Sequence, residues 1–450
     1  MRSFRLICAA FALWSLQGCS PEVQSPEVHG PNIIHITADD LGYGELGSFG
    51  QALIATPHLD ALAAQGMRFT HHYAGNALCN PSRYAFQTGL HAGTTGVVTN
   101  GANALPAGTP TIAKMMRGAG YSTGIIGKWA LGSASSSGAP LKQGFDYFFG
   151  YLDQVAAHDF FPETLMENSR RVRLSGNRAS GELNISAVRE VYSARVIHQR
   201  ALTFIENHKA RPFYLQLDYN LPHVNNELHN RTGNGFELPG ASRYADRDWT
   251  VQEQGYAEMV SLIDDYVGEL VAKLRRLGLD GNTLVIFTSD NGPTGVRGLE
   301  SLARFAATGG LKGMKGMFFE GGIRVPMIAW WPGTITAGTS TEEITTFWDV
   351  LPTFAELIGR PELAIGDGRS FASVMLGEGG MPRERVLYWA VGDRQAVRYG
   401  DWKWVHHPNK GKSDFLFNIA EDPNELTNLA SKHPEVMSRL QQMADEAVAH

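Results

Sequence analysis

Cysteine is scarce in this 450-residue chain, which has three: Cys8, Cys19 and Cys79. That number excludes the disulfide-framework class of small exported domains, and a chain of this length can bury a large core without such staples. Charge is also sparse and nearly balanced, with 39 Lys and Arg against 45 Asp and Glu. There is no bulk positive field of the kind nucleic-acid binders rely on, so nucleic acid is not an expected partner. The apolar run near the N-terminus, Leu6 to Leu16, is too short to span a bilayer. No internal repeat is visible. Glycine is plentiful, at 50 residues, which implies many tight turns between regular elements.

Arg2 and Arg5 precede the apolar run, and Leu16-Gln17-Gly18-Cys19 closes it, in the order of a bacterial lipoprotein signal. On this reading residues 1–18 are a signal peptide and Cys19 is the lipidated first residue of the mature chain. Residues 19–30, with Pro21, Pro26 and Gly30, form a tether. The expected place is the periplasm or the outer membrane of a bacterium, with a membrane contact through the N-terminal lipid. Ordinary secretion with cleavage nearby is the alternative. Cys8 then leaves with the signal and Cys19 is used for lipid, so Cys79 has no disulfide partner and a chemical role for it gains weight.

Cys79 lies in Asn76–Gly93, NALCNPSRYAFQTGLHAG. Asn80 suits an N-cap and Pro81 a first helical position, which places Cys79 just in front of a helix, where free N–H groups favour an anion. Arg83 follows one turn on and can aim a fixed cation at whatever Cys79 touches. A buried cysteine beside an ordinary surface arginine is the plainer alternative. Two apolar strands point to the same place. Asn32 to Thr37 delivers the adjacent carboxylates Asp39 and Asp40, and Thr283 to Thr288 delivers Asp290 and Asn291. Neighbouring carboxylates repel, so a pair at a strand end favours a bound cation. These four side chains offer only hard oxygens, which suits Ca2+, or less well Mg2+, rather than zinc.

Strands and helices alternate through the first three quarters of the chain. That order predicts an α/β fold, a large mixed, mostly parallel sheet sandwiched by helices, with functional groups at strand C-terminal ends. The clearest amphipathic helix runs from Tyr256 to Leu277. The region 133–180, rich in Gly, Ser and aromatics, reads as loops over the site. Beyond residue 360 four short strands (Val386–Trp389, Gln395–Tyr399, Trp402–His406, Asp414–Asn418) predict a smaller C-terminal α+β subdomain with an antiparallel sheet. The expected division is therefore 31–360 and 361–450.

Several blocks, taken whole, carry a resemblance. Cys79-Asn80-Pro81-Ser82-Arg83 with Thr88-Gly89, Asp39-Asp40-Leu41-Gly42-Tyr43-Gly44, Gly127-Lys128-Trp129, Ser289-Asp290-Asn291-Gly292 and Lys315-Gly316…Glu320-Gly321-Gly322 resemble the type I sulfatases, an arylsulfatase-like branch of the alkaline phosphatase superfamily. The resemblance covers nearly everything after residue 30. It implies hydrolysis of a sulfate ester on a carbohydrate or aryl alcohol, and oxidation of Cys79 to formylglycine by a maturation enzyme. One hydroxyl of the hydrated aldehyde would attack sulfur, and loss of a proton from the other would release sulfate. The implied metal set is Asp39, Asp40, Asp290, Asn291 and the modified Cys79. Arg83, Lys128 and Lys315 would surround the sulfate, and His223, with Lys315, would protonate the leaving alcohol.

There are departures. Gln87 stands where an aliphatic residue is usual, and Glu45 where aspartate is common. Ala130 stands where the family motif has the histidine expected to act as base in the second step. His158 is the preferred substitute for that base, with His71 and His72 as other candidates. The rival readings are a phosphoesterase of the same superfamily and a catalytically impaired glycan-binding lipoprotein.

Cys19→Ala should abolish membrane partitioning of the mature protein in its native host. An unmodified, soluble N-terminus in the unaltered protein would show that the lipid signal was misread.

Overall fold

A computed structural model describes residues 30–101, 103–295, 300–409 and 412–448. The signal peptide, Cys19 and the tether up to residue 29 lie outside the described residues. No helix among the described residues is long and apolar enough to cross a membrane.

The centre of the molecule is an 11-stranded sheet. Its five middle strands, in spatial order Thr283–Ser289, Asn32–Ala38, Phe213–Asp218, Ser122–Lys128 and Tyr147–Tyr151, all run parallel. Parallel strands end on one edge, so Asp290, Asp39, Asp218 and Lys128 emerge side by side. The strands next to this block run antiparallel to it. Arg324–Trp330 separates Thr283–Ser289 from Met67–Tyr73 on one side, and Thr164–Glu167 and Arg170–Arg173 extend the sheet on the other.

The middle strands are buried and mainly apolar because both faces are covered. Ile34, Ile36, Leu215, Leu217, Val285 and Phe287 pack under the helices Ser193–His208 and Val251–Arg276. Ile33, Tyr214, Leu284 and Ile286 alternate to the other face, against the helices Cys79–Thr88, Ile112–Gly118 and Val350–Leu357. A Cβ at Gly127 would fall 1.8 Å from the Asp218 carbonyl oxygen, so glycine there lets the strand that ends in Lys128 close on its neighbour.

The long helix starts at Val251, earlier than the apolar pattern indicates. Thr250 and Glu253 form a capping box, with the Thr250 hydroxyl accepting from the Glu253 N–H and the Glu253 carboxylate accepting from the Thr250 N–H. Region 133–180 also differs from expectation. Tyr147–Tyr151 is an internal strand, with Phe148 entering one apolar cluster and Phe149 the other. The Tyr-Phe-Phe-Gly-Tyr run is long enough for a buried strand, and burial of two phenylalanines on opposite faces outweighs the loop-like composition around it.

The strands Val386–Val391, Arg394–Tyr399, Trp402–Asn409 and Lys412–Asn418 form the expected C-terminal antiparallel sheet, packed by the helix Pro434–Val448. A buried ionic knot fastens it to the rest. The Lys403 ammonium lies 2.8 Å from Glu320 and 3.0 Å from Glu425, all three fully buried. Glu425 accepts the Glu320 N–H at 2.6 Å, and Tyr73 donates to the Glu320 carboxylate at 2.6 Å. Burial opposes ionisation of Glu320, yet Lys403, Arg398 and Arg324 hold its carboxyl below the usual range. Lys403→Met removes the one ammonium between two buried carboxylates. Breaking such a knot costs about 3–5 kcal/mol, so urea unfolding should show a loss of that order. A variant as stable as the parent would mean that the knot is dispensable.

Candidate active site

Asp39 and Asp40 leave the end of Asn32–Ala38 fully buried, and Asp40 takes φ 69°, a conformation that is strained for a non-glycine residue. Next to them lies Cys79, its sulfur 3.4 Å from Asp39 Oδ1 and 3.8 Å from Asp40 Oδ1. Cys79 is the first residue of its helix, and Leu78 is the N-cap. The expected Asn80 cap is therefore corrected. The Asn80 amide is used elsewhere, donating to the Ala130 carbonyl at 2.5 Å and accepting from Asn103 at 2.7 Å.

Arg83 reaches from that helix beneath the strand ends. It donates from Nε to Asp290 Oδ2 at 3.0 Å, and from Nη1 to the Lys128 carbonyl at 3.0 Å and to Asp218 Oδ2 at 3.1 Å. Its Nη2 lies 2.9 Å from Asp290 and 3.8 Å from Asp39. Lys128 is fully buried and donates to Asp39 Oδ2 at 2.6 Å. Lys315 comes from the loop before Glu320 and lies 2.7 Å from Asp40 Oδ1. Its ammonium also donates to His223 Nε2 at 3.2 Å. His223 Nδ1 sits 2.7 Å from the Val224 carbonyl, which assigns the proton to Nδ1 and leaves Nε2 as an acceptor for Lys315. Asn291 donates to Asp40 at 2.7 Å, while its own Oδ1 is buried with no hydrogen-bond partner.

The protonation states follow from burial and neighbours. Burial would raise Asp39, but Lys128, Arg83 and Lys315 hold it well below the ordinary carboxylate range. Burial is likewise outweighed at Asp40, chiefly by the charge and hydrogen bond of Lys315. Asp290 goes the other way, pushed up to about 7 by burial and by the charge of Asp39. Burial and the Lys315 ammonium lower His223 to about 3, so its imidazole is neutral. Burial, reinforced by Asp290, pushes the Cys79 thiol upward, so the unmodified sulfur is a protonated and poor nucleophile.

His158 also lies here, in the turn Ala156–His158. Its ring stacks on His223 with centroids 4.7 Å apart, and Nδ1 is 3.0 Å from Glu227 Oε2. His72 is not brought in: its Nδ1 bonds Thr345 and its ring packs on Phe347. His71, in the same strand, is lowered by burial and by Arg324 and Arg398, cations of the ionic knot rather than of this site. Glu45 is also set apart, buried and accepting from the Gly42 N–H at 2.6 Å.

Two features were not anticipated from sequence. Asp218, the acid that ends Phe213–Asp218, shares Arg83 with Asp290. The terminal aspartate of an otherwise apolar strand, as at Asp39, was the available signal. Behind it, Gln87 donates to Gln216 at 2.5 Å and Gln216 donates to Asp218 at 2.7 Å. The polar residue at 87 thus begins a buried chain that ends at the site. A cleft of about 840 Å³ also lies beside the site, lined by Ala130, two residues from Lys128, and by Asn100 and Asn103, which bond Asn80 next to Cys79. Ala130 itself sits at φ 63°.

The residues fit a hard divalent cation. Asp39, Asp40, Cys79 and His223 each bring a ligand atom within 4.8 Å of the others. Lys315 already engages His223 Nε2, so the oxygens, with the unpartnered Asn291 Oδ1, are the donors left for an ion.

Comparison with known proteins agrees with this arrangement. The model of the sulfatase family matches residues 31–360, and that of the N-sulphoglucosamine sulphohydrolase C-terminal region matches 313–449. The chain is 33% identical to arylsulfatase A of Bos taurus over 90% of this chain and 84% of that one. It is 28% identical to an N-acetylgalactosamine-6-O-sulfatase of Bacteroides thetaiotaomicron over 96% of each. A solved structure of Ps i-CgsB with k-i-k-neocarrahexaose superposes with a TM-score of 0.79 at 27% identity, covering 93% of each chain. These likenesses, joined to the cysteine, carboxylates and cations gathered at one sheet edge, establish that the chain belongs to the sulfatase family and is an enzyme that hydrolyses sulfate esters.

Proposed function

We propose that the enzyme removes sulfate from a sulfated carbohydrate after oxidation of Cys79 to formylglycine, with Ca2+ rather than Mg2+ held by Asp39, Asp40, Asp290 and Asn291. The observation that carries this reading is the buried Cys79 thiol. It lies against two ionised carboxylates and is held protonated, so it is poorly suited to act as a nucleophile itself. A hydrated aldehyde at that position would supply an oxygen nucleophile instead. The oxygen-only donor set and the unpartnered Asn291 Oδ1 support a hard cation. Such an ion, when bound, would offset charge on the nucleophile's oxygen and on a sulfate oxygen.

The chain's own residues supply the rest. Arg83 and Lys128 hold fixed positive charge against Asp290 and Asp39, where negative charge builds on the sulfate. Lys315 carries a proton. Burial disfavours its ammonium, but the carboxylates of Asp40 and Asp39 hold it well above its ordinary value. His223 accepts from it, so the pair can pass a proton to the leaving alcohol. His158, stacked on His223 and oriented by Glu227, takes the base role that Ala130 leaves vacant. A carbohydrate substrate is supported by the names of the relatives. A phosphoesterase is the weaker reading, because position 79 is neither Ser nor Thr and no cluster of several histidines with ligand spacing occurs among the described residues. The localisation proposed with this function is a lipid-anchored protein of the bacterial envelope.

The mass of the Cys79 peptide, from protein made with its maturation enzyme, should show the aldehyde. Cys79→Ala should abolish sulfate release while thermal unfolding stays within a few degrees of the parent. Full activity from the unconverted thiol would defeat the mechanism. Chelation should lower both activity and Tm, and Ca2+ should restore them better than Mg2+; equal restoration would remove the calcium assignment. His158→Ala should slow turnover by about 10²–10⁴-fold, the range for a general base. Unchanged turnover would assign the base to water or to another group.

A further inference from the structure

The cleft beside Ala130 is larger than a sulfate needs. At about 840 Å³ it lies within the roughly 300–1,000 Å³ typical of sites for whole small molecules. Ala130, with a single methyl, forms part of its wall. Asn100, Asn103, Asp153 and Gln154 line it with groups that hydrogen-bond hydroxyls, and the Gln154 Oε1 has no partner. The outer wall is the hairpin Thr164–Glu167 and Arg170–Arg173, the edge of the large sheet.

That hairpin carries the cleft's cation. Thr164, Met166 and Arg171 line the cavity. Register pairs Arg171 with Met166 and Arg173 with Thr164, so Arg173 lies on the same face, two residues along. Both arginines are exposed, and neither makes an ion pair with a carboxylate among the described residues. Arg171 has only a 3.5 Å contact with the Thr164 hydroxyl. The nearby Arg200 and Arg189, by contrast, are paired with Glu167 and Glu237. In a chain with more acids than bases, two guanidinium groups without a carboxylate partner, Arg171 lining the cleft and Arg173 beside it on the same face, suit a planar bidentate anion such as sulfate or carboxylate.

We propose that this cleft is a second, anion-selective subsite. It holds the sugar next to the one being desulfated, and Arg171 and Arg173 bind that sugar's own sulfate or carboxylate. The inference rests on the carbohydrate sulfatase reading above and narrows it to a glycan bearing an anionic group on adjacent sugars. Recognition of the neighbour supplies binding rather than chemistry, so it affects KM and leaves kcat alone.

The test compares matured parent enzyme with the Arg171→Ala/Arg173→Ala double variant. The substrates are a multiply sulfated tetrasaccharide, the same backbone sulfated only at the cleaved position, and a chromogenic aryl sulfate. For the multiply sulfated substrate, KM should rise about tenfold, as expected for two partly exposed ion pairs, with kcat unchanged. The salt dependence of that KM should weaken. Kinetics on the other two substrates should not change. Ser135→Trp, which fills the cleft from an exposed position, should impair both saccharides and spare the aryl sulfate. Equal effects of the double variant on all three substrates, or none, would overturn the subsite. If the parent cleaves no sulfate ester, the functional reading fails separately. Calorimetric binding of the tetrasaccharide to parent and double variant then decides the subsite, with equal affinity counting against it.

Discussion

One buried guanidinium ties the catalytic edge together. Arg83 enters from a helix on one face of the sheet and bonds to groups at the ends of three of the parallel strands: Asp290, Asp218 and the Lys128 carbonyl. It is 3% exposed, so its charge has almost no water to stabilise it and depends on those partners. The dependence is mutual. Without that cation, Asp218 and Asp290 would face each other's field and that of Asp39 in a low-dielectric interior. The helix that carries Cys79 is thereby fixed against the strands that carry its neighbours, which is how residues far apart in sequence come within 4 Å.

The site was legible where an apolar run ends in charge. Asn32–Ala38 and Thr283–Ser289 are unbroken buried strands, and the residues just past them have nowhere to go but the sheet edge. Asp218 obeys the same rule and was missed because FYLQLD already contains a polar residue, Gln216, which made its terminal acid look ordinary. The structure shows Gln216 paired with Gln87, a contact between helix and strand that no local pattern encodes. The start of the Cys79 helix was misjudged for a similar reason. Asn80 is a good cap in isolation, but its amide is drawn to the Ala130 carbonyl across the site. The C-terminal sheet was legible from its turns, whereas its fastening through Lys403, Glu320 and Glu425 joins residues up to 105 positions apart and left no trace in either segment alone.

Ala130 links the chemistry to the shape of the site. Its left-handed backbone, the hydrogen bond from Asn80 and the open cleft beside it occupy the ground where the family motif offers a histidine. The position keeps its architectural task, anchoring the residue next to Cys79, while giving up its side-chain chemistry. A second imidazole, His158, stands against His223 from a different segment, held there by Glu227.

Complete burial of Cys79 carries a consequence for the order of events in the life of the chain. Its sulfur lies under a helix, two carboxylates and the sheet edge, with no surface open to solvent. Under the proposed oxidation of Cys79, a modifying enzyme would have to reach a side chain whose neighbours are a buried helical turn and Arg83. That oxidation would then have to precede closure of the helix on the sheet edge, because the folded chain leaves the sulfur no open surface. Timing during folding, rather than the stability of the finished protein, would then set what fraction of the molecules carries the proposed aldehyde.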